Sequence, residues 1–178
     1  TDSNGNTVTY SYTDKGQFDS LYVSRGAGVL GTQDRIVLQR DSLGRILQVR
    51  EDNGSEDDVV TAYTYKADSH LVKTVTVYVG STFSATVSYS YDSDNRLTGI
   101  TYPSGKILEY FYNTQGLIET ILFDFEVVAE YSYNENGAVT SKFLGNGLVE
   151  EYYTTDYRGF LRRITTDVNG SQVRDLAY

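Results

Sequence analysis

The chain has 178 residues, 15 Lys and Arg against 24 Asp and Glu, a formal net charge of −9, one His and no Cys. This charge argues against nucleic acid and anionic membrane surfaces as partners, because both attract Lys and Arg. The absence of Cys excludes a disulfide framework, a single His argues against a zinc site, and no apolar run is long enough for a transmembrane helix. With 17 Tyr, 16 Gly and one Pro, the composition is typical of an all-β protein with many tight turns.

A pattern of the form Tyr-x-Tyr-Asx-x-x-Gly-x-apolar recurs in chain order and predicts one β-hairpin per copy. We call the second aromatic position of each copy the anchor, and successive anchors are 21 to 28 residues apart. The anchors are Tyr12, Arg40, Tyr65, Tyr91, Tyr112, Tyr133 and Thr155. The residues two positions before them, on the same face of the predicted first strand, are Tyr10, Leu38, Tyr63, Tyr89, Tyr110, Tyr131 and Tyr153.

The second strand of each predicted hairpin has apolar residues at two fixed positions. Six residues after the anchor stand Phe18, Ile46, Leu71, Leu97, Ile118, Val139 and Leu161. Nine residues after the anchor the residue is aliphatic in five copies, and Thr74 and Lys142 are the exceptions. This regularity predicts that the second strand is half-buried on the face that carries the anchors.

The turn between the two predicted strands is equally regular. The residue after the anchor is an Asx in five copies, namely Asp41, Asp92, Asn113, Asn134 and Asp156. Three residues further on, the sequence has Gly16, Gly44, Asn95, Gly116, Gly137 and Gly159, with Ser69 in the remaining copy. An Asx at the first position and a residue that tolerates a left-handed conformation at the fourth predict a type I turn closed by a left-handed bulge. Ser69 is expected to be the most strained copy.

A lone hairpin is marginal in water, so we expect the hairpins to pair side by side in a coiled antiparallel sheet, with Tyr next to Tyr across strands. The segments Asp52-Asn53-Gly54-Ser55 and Gly80-Ser81-Thr82 are expected to be loops at the opposite edge, and Pro103-Ser104-Gly105-Lys106 a further tight turn. An ordinary β-sandwich or barrel is the alternative. The fixed turn chemistry at a near-constant period favours the repeat array.

These residues resemble a known family. The stretch from Tyr89 to Gly105 resembles a YD repeat of the Rhs type, and Tyr110 to Ile121 is similar to a second copy. The resemblance covers residues 1–178 as a single array of about seven repeats, truncated at the start of an eighth near Tyr178. It implies a β-sheet that spirals into a shell. Such shells enclose a toxin in Rhs proteins and the C components of toxin complexes, a related one belongs to the teneurin adhesion receptors, and bacterial wall-associated proteins carry similar repeats.

Candidate catalytic and metal-binding groups are few. His70 falls just after a turn, where other copies have Arg45 and Arg96, so we expect an exposed turn residue rather than a catalytic base. Asp92-Ser-Asp94-Asn95 has the start of a calcium loop without its closing Glu, and Glu56-Asp57-Asp58 is an acidic turn that could hold calcium weakly. The other acidic residues predict a solvated face. We therefore predict no enzyme, no cofactor and no dedicated metal site.

The sequence predicts a non-catalytic structural segment of a secreted or cell-surface β-shell or surface assembly, from a bacterial source. Two alternatives stay open: a subunit of an extracellular filament assembled by strand addition, and a carbohydrate-binding adhesion module whose Tyr rings stack on sugars. Expected partners are further YD repeats of the same chain, copies of the chain itself, glycans or cell-surface proteins.

Overall fold

The computed structural model describes residues 3, 5–24, 35–52, 58–145, 149–156 and 158–178, and in these ranges the chain contains strands and turns but no helix. Fifteen antiparallel strands lie in the described ranges. They are β1 Thr7–Tyr12, β2 Phe18–Ser24, β3 Arg35–Arg40, β4 Ile46–Asp52, β5 Val59–Tyr65, β6 Val72–Val79, β7 Phe83–Tyr91, β8 Leu97–Thr101, β9 Ile107–Tyr112, β10 Ile118–Phe123, β11 Glu126–Tyr133, β12 Val139–Leu144, β13 Val149–Thr155, β14 Leu161–Val168 and β15 Ser171–Ala177. The predicted class, all-β with tandem hairpins and antiparallel pairing, is confirmed.

The chain divides into two compact units, Thr1–Tyr89 and Ser90–Tyr178. In the first unit, β1 to β7 lie side by side in sequence order, each antiparallel to the next. In the second unit, β8 to β15 follow the same rule. Gly80, at a φ of 54°, lies in the expected loop between β6 and β7, whereas the expected loop at Asp52–Ser55 falls largely outside the described residues.

The anchor turns share one hydrogen-bonding scheme. In the turn after β9, the amide of Asn113 donates to the carbonyl of Leu117 and the amide of Gly116 donates to the carbonyl of Asn113, both at 2.9 Å. The side-chain Oδ1 of Asn113 accepts from the amides of Gln115 and Leu117, at 2.9 and 3.0 Å. The fourth residue has a φ between 65° and 85° in six of the turns, at Gly16, Gly44, Asn95, Gly116, Gly137 and Gly159. The turn from Tyr102 to Lys106 closes in the same way.

The turn after β5 differs, and the expectation for Ser69 is wrong. The amide of Lys66 donates to the carbonyl of Leu71 rather than to that of residue 70, so this turn is one residue longer than the others. Its left-handed residue is Asp68, at a φ of 51°, and Ser69 does not have a positive φ. Asp tolerates this conformation better than Ser because its short carboxylate bonds locally. The extra residue shifts the pairing of β6 with β5 by one position relative to the other hairpins.

That shift also explains an apparent exception in the repeat. Because the turn is longer, Tyr65 faces Val72 and Tyr63 faces Val75, where the other copies predict Leu71 and Thr74. Thr74 instead faces Thr64 on the other side of the sheet, and the two hydroxyls lie 2.6 Å apart. The apolar pattern is therefore intact in this hairpin.

A second bulge follows each anchor turn whose pairing is described. In the first hairpin Ser11 faces Ser20 while Tyr12 faces Phe18, so Asp19 is left over in the ladder. The same register shift leaves out Leu47, Lys73, Glu119, Thr140 and Arg162 in later hairpins. A bulge of this kind places residues three apart on the same face and increases the local twist of the strand pair. It accounts for the apolar residues at six and nine positions after the anchor.

Packing within each unit relies on cross-strand pairs more than on a central core. Among the described residues Ala129, at 5% exposure, is the one buried apolar side chain, and Ser141 and Thr166 are the buried polar ones. Most other strand residues are half-buried. Stability must therefore come from many moderate contacts between neighbouring strands and hairpins.

Candidate functional site: the joints between hairpins

The ladders between consecutive hairpins stop short of the anchor turns. Between β4 and β5 the last pair toward the turns is Gln48 with Ala62, and between β10 and β11 it is Thr120 with Glu130. The final residues of each incoming strand, with the anchor among them, lie beyond that pair. Neighbouring hairpins therefore diverge near their turns, and side chains must bridge the gap.

The anchor tyrosines bridge this gap with their hydroxyls. Tyr65 donates to the carbonyl of Ile46, Tyr112 to that of Leu97 and Tyr133 to that of Ile118, at 2.6, 2.7 and 2.6 Å. In each case the acceptor is the residue six positions after the anchor of the preceding hairpin. The hydroxyl thus satisfies a backbone group where the ladder has ended.

Arg40 performs the same task although it replaces the anchor Tyr. Its Nη2 donates to the carbonyl of Phe18, the equivalent position of the preceding hairpin, at 3.2 Å. Its Nη1 donates to the carbonyl of Gly44 in its own turn at 2.9 Å. A guanidinium has enough donors and reach for both bonds, so the substitution preserves the joint.

In two hairpins an Arg follows the fourth turn residue, which is Asn95 or Gly44, and links its hairpin to the next. Arg96 Nε lies 2.7 Å from Asp92 Oδ2 in its own turn, and its guanidinium carbon lies 4.7 Å from the centre of the Tyr112 ring in the next hairpin. Arg45 repeats this arrangement, 2.6 Å from Asp41 and 4.6 Å from the ring of Tyr65. Each Arg therefore connects the first turn residue of its own hairpin to the anchor of the next.

These contacts perturb the ionisation of the turn carboxylates. Burial acts to raise the pKa of Asp92, but backbone and side-chain hydrogen bonds from Arg96 outweigh it, so the pKa is lowered. In Asp41 burial is likewise outweighed by side-chain and backbone hydrogen bonds from Arg45, and its pKa is lowered. The hydrogen bond to Asp92 raises the pKa of Arg96. The turn after β7 therefore favours the charged forms of both Asp92 and Arg96.

The turn glycines of the next hairpin make room for these side chains. A Cβ added to Gly116 would lie 3.1 Å from Arg96 Nη1, and one added to Gly44 would lie 2.9 Å from Gln17 Nε2. Both glycines also have a positive φ, of 78° and 82°. Glycine at these turns therefore serves the joint as well as the backbone conformation.

The predicted aromatic residues do not pair Tyr to Tyr across the described ladders. Tyr63 faces Val75, Tyr110 faces Ile121 and Tyr153 faces Ile164. Tyr131 and Tyr133 stack within one strand, with ring centres 6.5 Å apart. The Tyr partners across strands are thus mostly aliphatic, because the anchors lie in the gap between hairpins. Tyr89 and Tyr91 are half-buried, whereas Tyr10 and Tyr12 are exposed.

The candidate catalytic and metal-binding residues do not come together in one site. His70 is exposed inside the lengthened turn, so its predicted equivalence to Arg45 is wrong by one position. Asp92 and Asp94 both contact Arg96, at 2.7 and 3.4 Å, where a calcium loop would hold its ion. Of the acidic turn at 56–58, residues 56 and 57 fall outside the described ranges, and Asp58 pairs with Arg50.

In the ranges that the structure describes, no group of three or more His, Asp or Glu side chains is placed to hold a metal ion. No helix in those ranges is long and apolar enough to cross a membrane.

Two kinds of comparison identify similar proteins. The model of the teneurin YD-shell family matches residues 32–174. The structure is similar to the crystal structure of TcdB2–TccC3 without its hypervariable C-terminal region, with a TM-score of 0.73 at 15% identity, and to that of TcdB2–TccC3–Cdc42, with a TM-score of 0.71 at 14% identity. A third is the Photorhabdus luminescens Tc holotoxin pore, with a TM-score of 0.67 at 15% identity.

Each of these structural matches covers 98% of the chain but only 10% of the length of the similar protein. At this identity the matches establish the fold. None of the curated proteins is significantly similar to the chain in sequence.

Proposed function

Because the chain belongs to the teneurin YD-shell family, we propose that it is a non-catalytic wall segment of a larger β-shell. The observation that carries this proposal is the repeated joint, in which an anchor side chain bonds the backbone of the preceding hairpin at four described places. A joint of this kind adds one hairpin to the next without limit on their number. It suits a wall built from many repeats.

The anchor tyrosines and turn residues are the parts that hold the wall together in this proposal. The tyrosines close the gap beyond the ladders, and the turn residues set the geometry from which Arg45 and Arg96 reach the next hairpin. They act on the protein itself. None of them needs a substrate for its role.

Further YD repeats are the proposed partners. The similar TcdB2–TccC3 chains are about ten times longer than the matched part, and the fold occurs in them as one part of a larger assembly. The half-buried apolar side chains of each unit suit contact with more protein. A net charge of −9 disfavours nucleic acid as a partner.

We place the chain outside the cell or on its surface, in agreement with similarity to a Tc holotoxin. The filament and carbohydrate-adhesion alternatives receive no support from the similar proteins. Electron microscopy distinguishes a filament from a wall segment.

Electron microscopy of native, source-purified material, with the polypeptide mass measured on the same sample, tests the proposal. Hollow particles built from a chain several times longer than this one would support a wall segment. Fibres built from chains near 19.9 kDa would overturn it in favour of strand-addition assembly. A compact monomer of that mass with no larger assembly would overturn both.

A further inference from the structure

The second unit contains an open hollow of about 490 Å³ beside β8 and β9. Ser90, Gly99, Thr101, Glu109 and Phe111 are among the residues that line it. Its volume falls in the usual range for small-molecule sites, roughly 300 to 1,000 Å³. A wall segment does not require such a hollow. The residues that line it are therefore candidates for another function.

Gly99 is the one glycine in the lining of the hollow. It lies in the interior of β8, eight positions after the anchor Tyr91, with Glu109 directly opposite on β9. At the matching ladder position, the other hairpins have a side chain: Ser20, Gln48, Thr74, Thr120, Ser141 and Arg163. Gly99 therefore contributes no side chain to the lining, and its backbone is buried beside Ser90.

Neither backbone conformation nor crowding requires glycine at position 99. Its φ is not positive, and a Cβ there would lie 3.6 Å from the carbonyl oxygen of Leu108 and 3.7 Å from the Cβ of Ser90, which are ordinary contacts. A glycine inside a strand weakens it, and it often marks a place where a ligand approaches closely. Gly99 differs in this respect from Gly44 and Gly116, which the joints explain.

The lining has the chemistry of a sugar site. Phe111 is 48% exposed and offers a ring face, Glu109 offers a carboxylate, and Ser90 and Thr101 offer hydroxyls that donate and accept. We propose that this hollow binds a neutral hexose unit, stacked on the Phe111 ring and hydrogen-bonded to the carboxylate of Glu109 through two neighbouring hydroxyls. This inference goes beyond the wall function. Glu109 and Phe111 alternate with Tyr110 and Tyr112 along β9, and all four residues line the hollow.

Charge selects this ligand class over the others. Asp92 and Arg96 at the rim neutralise each other in their 2.7 Å ion pair. Glu109 therefore sets a negative charge in the hollow, which repels phosphates and carboxylates. A purely apolar ligand would leave Glu109 and the hydroxyls without water or partners. A cationic side chain is the competing ligand, and the experiment separates it from a neutral sugar.

Isothermal titration calorimetry of the whole chain with D-glucose, D-galactose, D-mannose and their disaccharides, and separately with pentalysine, tests the proposal. We expect at least one neutral sugar to bind. Gly99→Thr should abolish that binding while the melting temperature stays equal or rises, because Thr74 and Thr120 already occupy matching positions. Phe111→Ala should weaken it about fivefold, the usual worth of one aromatic contact.

Ser20→Thr is the control, since it also places a threonine at the matching position of a distant hairpin. It should leave sugar affinity unchanged. Equal sugar affinity in the wild type and Gly99→Thr would overturn the assignment of the site. Binding of pentalysine alone would overturn the ligand class, and no binding of any sugar at tens of millimolar would overturn the proposal as a whole.

Discussion

The hydroxyl of Tyr112 donates a 2.7 Å hydrogen bond to the carbonyl of Leu97, which lies 15 positions earlier in the preceding hairpin. The same tyrosine ring lies against Arg96, which is held by Asp92 in that preceding hairpin. Tyr112 therefore contacts both the backbone and the turn of the preceding hairpin. The anchor Tyr and the turn Asp thus both help to hold neighbouring hairpins together.

Removing the Tyr112 hydroxyl should destabilise the second unit. We expect Tyr112→Phe to lower the free energy of unfolding by about 1 kcal/mol, because the ring contact stays while one net hydrogen bond is lost. Urea-induced unfolding followed by circular dichroism measures the change. Tyr12→Phe, at an anchor that is 62% exposed, is the control and should change stability little. Equal effects of the two variants would contradict the role of the hydroxyl.

Substitutions of Arg40 test whether an anchor Arg and an anchor Tyr perform the same role in the joint. Arg40→Tyr should be neutral or stabilising, because a tyrosine hydroxyl makes this bond in later hairpins and the buried Nε of Arg40 lacks a hydrogen-bond partner. Arg40→Leu should cost about 1 kcal/mol or more, since the carbonyl of Phe18 loses its donor. Unfolding in urea again measures both. A destabilising Arg40→Tyr would show that this joint differs from the others.

The turn carboxylates predict loss of stability in acid. The pKa of Asp92 is lowered below its usual 3.8, so its ion pair contributes stability above that pH and the contribution is lost as pH falls through the folded pKa. Asn113 and Asn134 are natural neutral versions that keep the backbone bonds. Asp92→Asn should therefore weaken the loss of stability below pH 3.8, as measured by melting temperature against pH. An unchanged acid profile would contradict this assignment.

Turn residues carry enough information to predict the hairpins, since an Asx and a Gly three residues later specify the turn by local hydrogen bonds and φ. The sequence also indicates the second bulge, because apolar residues three apart cannot share a face in a regular strand. Thr74 carried a similar signal, because its break in the pattern marks the extra residue of the preceding turn.

The joints were beyond prediction for a different reason. The bond from Tyr112 to Leu97 depends on how far two hairpins diverge after their ladder ends, and residue spacing does not encode that divergence. For the same reason, the sequence shows only that Arg40 stands at an anchor position where most copies have Tyr. Only the positions of both hairpins show that its guanidinium reaches the carbonyl that a tyrosine reaches elsewhere.

The two-residue turn between β10 and β11 stores strain that can be relieved. Asp124 and Phe125 have φ values of 55° and 71°, and Phe125 is 74% exposed. A bulky residue is disfavoured in this conformation, so Phe125→Gly should raise the free energy of unfolding by about 1 kcal/mol. The equivalent turn between β14 and β15 already has Gly170 at a φ of 76°. Gly170→Ala is the mirror-image control and should destabilise by a similar amount. If Phe125→Gly instead lowers stability in urea, the ring must make contacts that outweigh the strain.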